Sequence, residues 1–181
     1  SLAGRKSYSI IPIDSKGAFH PKMMIVFGKK EGVAMIGSGN LTSSGLSSNE
    51  EIWGSFHIDE KSEKNYSIFR DSFDLLTSYL KDSNQSHKNK LNWLHKNTTW
   101  LESVQKSKIQ VEQKDNSTIQ LLSNNGSSSI YRQILQIINE PVVSVFMIAP
   151  FYNKNASLIN SILFDLSPHN VTCVIDSQYG T

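Results

Sequence analysis

Two apolar runs joined by a charged, glycine-bounded turn constrain this chain more than any other feature. The first is Phe19-His20-Pro21-Lys22-Met23-Met24-Ile25-Val26-Phe27, set between Gly17 and Gly28; the second is Val33-Ala34-Met35-Ile36. Both are β-prone, and Gly28-Lys29-Lys30-Glu31-Gly32 between them has the composition of a hairpin turn. Side chains alternate faces along a strand, so His20 and Lys22 share a face at a separation of about 6–7 Å. Pro21 between them donates no backbone hydrogen bond, which suits a strand edge or a strand start. The turn returns Gly37-Ser38-Gly39-Asn40 to the neighbourhood of His20.

That juxtaposition has a chemistry. Two glycines let the backbone approach a ligand closely and aim N–H groups at an anion, and Ser38 and Asn40 add side-chain donors. Lys22 supplies a point charge for phosphoryl oxygens, and the imidazole of His20 is a nitrogen nucleophile beside them. Downstream, Glu51-Ile52-Trp53-Gly54-Ser55-Phe56-His57-Ile58 reads as a further strand, with Ile52, Phe56 and Ile58 on one face and Glu51, Trp53, Ser55 and His57 on the other. A carboxylate in that position is suited to orienting an imidazole, and strand register favours Glu51 over Glu50.

His20-x-Lys22, then Gly37-Ser38-x-Asn40-Leu41-Thr42, then Gly45-Leu46-Ser47-Ser48-Asn49-Glu50-Glu51-Ile52 resembles the HKD motif of the phospholipase D superfamily. The Phe-His-Pro-Lys form and the Asn-Leu-Thr ending are most similar to its bacterial nuclease and restriction-enzyme branch. The chain departs from the motif at the aspartate, which falls on Phe27, and in a longer spacer before Gly37. The resemblance implies an α/β fold, a phospholipase-D-like α-β-α sandwich with a mixed sheet. It implies a metal-independent phosphodiesterase, most of all a DNA nuclease working through a phosphohistidine. His20 would attack phosphorus, Lys22 and Asn40 would hold the non-bridging oxygens with support from Ser38 and the Gly39 backbone, and Glu51 would orient the imidazole. It implies no metal and no cofactor. In this superfamily two such motifs meet to form one site, but His57, His87, His95 and His169 lack the HxK pattern. A homodimer or a second repeat is therefore expected to supply the second histidine, as general acid.

The rest of the chain is read as the boundary between two repeats. Residues 1–58 form the C-terminal half of a first repeat, 59–107 a helical connector, and 108–181 a β-hairpin followed by the N-terminal half of a second repeat. In the connector, Phe69, Phe73, Leu76 and Leu80 follow a helical period, and Lys81 to Lys90 reads as a solvated link. Leu91, Leu94, Thr98 and Leu101 then suggest a second amphipathic helix, with Trp93 and Trp100 assigned to the core. Residues 108–112 and 118–122 alternate as a hairpin. Beyond them, Ser127 to Ser129 cap a helix carrying Ile130, Ile134, Ile137 and Ile138, followed by a strand from Val142 to Ala149, a helix from about Ala156 to Leu166 and a strand from Val171 to Asp176.

Composition narrows the partners. Eighteen Lys and Arg against sixteen Asp and Glu leave a net charge of +2, so local clusters carry the signal: Arg5-Lys6, Lys29-Lys30 and the stretch from Lys88 to Lys96 are placed to meet phosphates. Nucleic acid is the expected partner, DNA ahead of RNA. The single cysteine, Cys173, excludes an intrachain disulfide, fits a reducing cytoplasmic setting and is expected to be buried in its strand. No apolar run is long enough to span a membrane. His87 and His95 stand apart without a third ligand, which argues against zinc. Two competing readings remain open. One is a degenerate module that grips nucleic acid or a partner chain without cutting, favoured by Phe27 and the lone HxK; the other is phospholipid hydrolysis or transfer, which lacks a membrane-binding helix.

Overall fold

The computed structural model describes residues 10–13, 17–59, 66–80, 85–98, 100–104, 111–112, 118–124 and 127–177. It is an α/β protein whose chain divides into two compact units, Ser1–Leu121 and Leu122–Thr181.

The first unit is built on the hairpin. Strand β1 (Met23–Phe27) pairs antiparallel with β2 (Glu31–Gly37) in the register Met23↔Ile36 to Phe27↔Gly32. The turn closes with Gly28 N donating to Glu31 O at 2.7 Å. After the short helix α1 (Ser43–Ser47), β3 (Trp53–Asp59) returns along the other edge of β2, Gly37 opposite Trp53 and Glu31 opposite Asp59. The order β1-β2-β3 makes a purely antiparallel sheet. Helix α2 (Tyr66–Ser78) lays Phe69 and Phe73 on one face of it. The segments α3 (Gln85–Asn97) and α4 (Trp100–Ser103) follow, and Trp100, Leu101 and Val104 complete a core with Ala34 and Ile58.

Strand parity decides which side chains enter that core. Ile25, Phe27, Ala34, Phe56 and Ile58 point toward the helices, whereas Lys22, Met24, Val26 and Trp53 take the opposite face. Phe27 packs edge-on to Phe69 and Phe73 at centroid distances of 5.6 and 5.5 Å, and Trp100 donates its indole N–H to Gly28 O at 3.1 Å. Phe27 therefore has a packing role, on the face opposite Lys22. The fully buried partners Phe69 and Phe73 contribute about 1.5–3 kcal/mol each.

Three expectations for this unit are corrected. The solvated link is shorter than expected, because Gln85 to Lys90 are helical; the segment contains neither Gly nor Pro, Gln85 Nε2 donates to Asn89 Oδ1 at 3.0 Å one turn on, and Leu94 docks on the core. Residues 81–84 lie outside the described residues. The helix expected across Leu91 to Leu101 breaks at Thr98, whose hydroxyl donates to Leu94 O at 2.6 Å while its carbonyl accepts from Leu101 N at 2.9 Å. Consequently Trp100 is buried, as expected, but Trp93 is 65% exposed. The hairpin near residue 110 is present as β4 (Val111–Glu112) and β5 (Thr118–Ile119), paired Val111↔Ile119; residues 105–110 and 113–117 lie outside the described residues.

In the second unit, α5 (Ile130–Ile137) starts where its serines predict, with Ser129 Oγ accepting from Arg132 N at 3.2 Å. Then come β6 (Ser144–Ile148), α6 (Ser157–Leu166) and β7 (Asn170–Val174). The two strands pair in parallel, Ser144↔Asn170 to Ile148↔Val174, so α6 is the crossover that a parallel pair requires. Ala156 enters α6 in the left-handed region at φ 51°, with Asn155 Oδ1 accepting from Ser157 N at 3.2 Å. Tyr131 donates its hydroxyl to Asp165 at 2.8 Å; desolvation first, then the hydrogen bond and charge of Asp165, raise the phenol to about 12. Cys173 is exposed, contrary to the expected burial, because β7 is exposed along most of its length.

Candidate functional site

Lys22 meets the start of the loop Gly37 to Asn40 at one end of the antiparallel sheet, with His20 two residues ahead of it. Hydrogen-bonded strand begins only at Met23, three residues beyond His20, but pairing continues one step further because Gly37 N donates to Lys22 O at 3.2 Å. Lys22, Gly37 and Trp53 thus form a row across the three strands on the face away from the core. Ahead of this row, the ring of Phe19 packs edge-on to Tyr79 with centroids 5.1 Å apart, which ties the segment carrying His20 to the unit.

The Lys22 ammonium lies against the His20 ring. Nζ is 2.7 Å from Nε2, contacts Nδ1 as well, and reaches His20 O at 3.3 Å. An ammonium has only donors, so the ring nitrogen it meets must offer a lone pair. The two side chains meet in the segment just before β1.

Ser38 and Glu51 form the second half of the site. Ser38 Oγ donates to Glu51 Oε2 at 2.6 Å and accepts from Ile52 N at 3.1 Å, while Ser38 N donates to Ile52 O at 3.0 Å. Asn49 Nδ2 approaches the other carboxylate oxygen at 3.4 Å. The short O–H···O⁻ contact is charge-assisted, so Glu51 holds the serine rather than the imidazole. The partner of Glu51 is the Ser38 hydroxyl, where the sequence suggested the His20 imidazole. Asn40 is exposed on the loop, and its carbonyl accepts from Thr42 N at 2.8 Å.

Glycine is required here by crowding. A Cβ on Gly39 would stand 2.7 Å from Gly45 O and 3.1 Å from both Glu51 Cγ and Trp53 Cζ2. A Cβ on Gly45 would meet Asn40 O at 2.1 Å. Thr42 caps α1 by accepting from Gly45 N at 3.1 Å, which closes the turn behind Asn40. Trp53 was assigned only to a strand face, yet its indole backs the loop, and its buried Nε1 has no hydrogen-bond partner among the described residues. Its side-chain parity with Glu51 was the available signal.

Other chemistry-bearing residues lie elsewhere. His57 pairs with Glu31 at 3.1 Å, and His95 packs edge-on to Phe73 at 5.4 Å. Among the described residues no three of His, Cys, Asp and Glu converge as a metal site would need, and no described helix is long and apolar enough to cross a membrane. Comparison of the chain with protein-family models, with curated proteins and with solved structures returns no match.

Proposed function

We propose that the chain is a phosphodiesterase of the phospholipase D type, cutting DNA through a phosphohistidine without a metal. The observation that carries this reading is the Lys22 ammonium within 2.7 Å of the His20 ring, beside a loop whose serine is held by Glu51. A phosphoryl oxygen that binds Lys22 draws the ammonium off the His20 ring and frees the nitrogen lone pair that it engages. Attack forms a P–N bond and breaks the P–O bond, and the electron pair leaves on the departing oxygen, which takes a proton from a general acid. Water then attacks phosphorus and gives a proton back to the group that served as general acid, the P–N bond breaks with its electron pair returning to the ring nitrogen, and His20 is regenerated. Asn40 and the Gly39 backbone N–H supply donors to the equatorial oxygens, and Glu51 positions their loop by holding Ser38.

In this reading the general acid is a histidine of a second HxK motif, carried by a second copy of the chain or by a further repeat. The β6-α6-β7 crossover is then the opening of that repeat, and the two units are partial repeats of an α-β-α sandwich. The competing reading, a module that binds without cutting, draws on the engagement of both Glu51 oxygens by Ser38 and Asn49.

Cleavage of a DNA substrate in excess chelator separates them. Activity is expected to persist with chelator and to fall about 10³-fold in His20→Ala. Dependence on added Mg²⁺ sinks the mechanism, and equal DNA binding by both proteins with cleavage by neither establishes the competitor.

A further inference from the structure

Helix α3 carries Gln85-Ser86-His87-Lys88-Asn89-Lys90-Leu91-Asn92-Trp93-Leu94-His95-Lys96-Asn97, with three lysines, two histidines and no carboxylate. Its apolar side is accounted for by Leu94 against the core and His95 against Phe73. Trp93 is not on that side. It is 65% exposed, an unusual position for the largest apolar side chain.

The surroundings of the indole are specific. At about 100° per residue, Asn89 and Asn97 flank Trp93 at about 40° on either side and Lys90 and Lys96 at about 60°. All four are exposed. Asn97 Nδ2 donates to Trp93 O at 2.7 Å and Asn89 is held by Gln85, so the amides are anchored to the helix around the ring. The ring also borders a cleft of about 460 Å³ whose lining is mostly apolar, with Leu80, Leu91 and Leu94, and includes Lys90.

We propose that this face of α3 binds single-stranded nucleic acid, a base stacking on Trp93 and the flanking phosphates meeting Lys90 and Lys96. Each component is suited to that occupant. An aromatic face accepts any base, lysines three residues to either side match a polyanionic backbone, and amides beside the ring offer both donors and acceptors to base edges. A duplex hides its base faces and offers this helix phosphates alone, so the exposed indole selects for an unpaired strand. The proposal deepens the nuclease reading by naming the form of nucleic acid engaged, and to that extent rests on it.

Fluorescence anisotropy of a labelled dT oligonucleotide and of a labelled duplex, with the full chain in a His20→Ala background, tests the proposal. Trp93→Ala is expected to weaken dT binding about tenfold while changing duplex binding much less, and Trp93→Phe to restore most of the loss. Replacing Lys90 and Lys96 together with Gln is expected to reduce the slope of log K against log salt by about 1.4, from about 0.7 per phosphate contact. Unchanged dT affinity in Trp93→Ala, with an unaltered circular dichroism spectrum, overturns the proposal. Equal losses for dT and duplex also overturn it, as does retention on anionic vesicles with no affinity for dT. Cleavage is scored separately with His20 intact. Persistent cutting with Trp93-independent dT binding sinks this proposal alone, and Trp93-dependent binding without cutting sinks the nuclease reading alone.

Discussion

The two units use similar side chains to opposite ends. In the first, Phe69 and Phe73 are 0% and 1% exposed; in the second, Phe146 and Phe164 are 73% and 85% exposed. The difference follows from sheet width. Strand β2 is paired on both edges and presents one face to two helical segments, so aromatic groups close over it from several directions. Two parallel strands with α5 and α6 leave Phe146, Ile148 and Phe164 in water, and two-stranded sheets are marginal on their own. His20 and Lys22, the residues proposed to act on phosphorus, sit on the well-packed unit, where supporting contacts can hold them within fractions of an ångström.

Truncating an aromatic in each unit strikes this contrast hardest. Phe69→Ala is expected to cost about 3–5 kcal/mol, and Phe164→Ala to change stability by no more than about 0.5 kcal/mol. All three tryptophans, Trp53, Trp93 and Trp100, fall in the first unit, so their fluorescence during urea unfolding reports that unit alone. Amide signals of β6 report the second. Equal costs in the two units would erase the distinction.

A glycine pair sharpens it within the first unit. Gly45→Ala drives a Cβ into Asn40 O and is expected to cost about 1–3 kcal/mol of overpacking together with most of the cleavage activity. Gly17→Ala meets nothing within 4 Å and is expected to leave both unchanged. Thermal melts and a cleavage assay read the pair, and a silent Gly45→Ala would mean the loop is not held as tightly as its contacts require.

Ser38→Ala removes the donor to Glu51 and the acceptor for Ile52 N, for an expected loss of about 1 kcal/mol. Glu51→Gln, which keeps the shape and removes the charge, is expected to lower cleavage while leaving the melting temperature nearly unchanged. If Glu51→Gln cuts normally, the carboxylate is structural.

The smallest effect belongs to the second unit and to alkaline pH. The phenol of Tyr131 is raised from 10.0 to about 12 by desolvation and by Asp165, so the folded state keeps its proton where the unfolded chain has released it. The stabilisation is complete below pH 10 and is lost as pH rises through about 12. Amide signals of β6 followed through that window should fade earlier than those of β2, and Tyr131→Phe should remove this contribution.

Legibility tracked how local each signal was. Helix α5 announced itself through Ile130, Ile134 and Ile137 and a serine cap, because period and cap lie within a few residues of each other. The hairpin was equally clear. Helix α3 was half hidden, since Gln85 to Lys90 carry no apolar period and their helix shows only in the Gln85–Asn89 bond and in the docking of Leu94 further along. The seven-residue spacing of Trp93 and Trp100 promised a common face, but the promise holds only for an unbroken helix, and Thr98 interrupts it.

By itself the sequence determined the hairpin that sets Lys22 opposite Gly37, because strand alternation and a glycine-bounded turn act over a few residues. Only the tertiary structure decided that Glu51 holds Ser38, that Trp53 backs the loop, that Phe27 belongs to the core and that Trp93 faces water. Parity tells which side of a sheet a residue occupies. Which side chain it meets there depends on how distant strands and helices pack, and no local pattern carries that information.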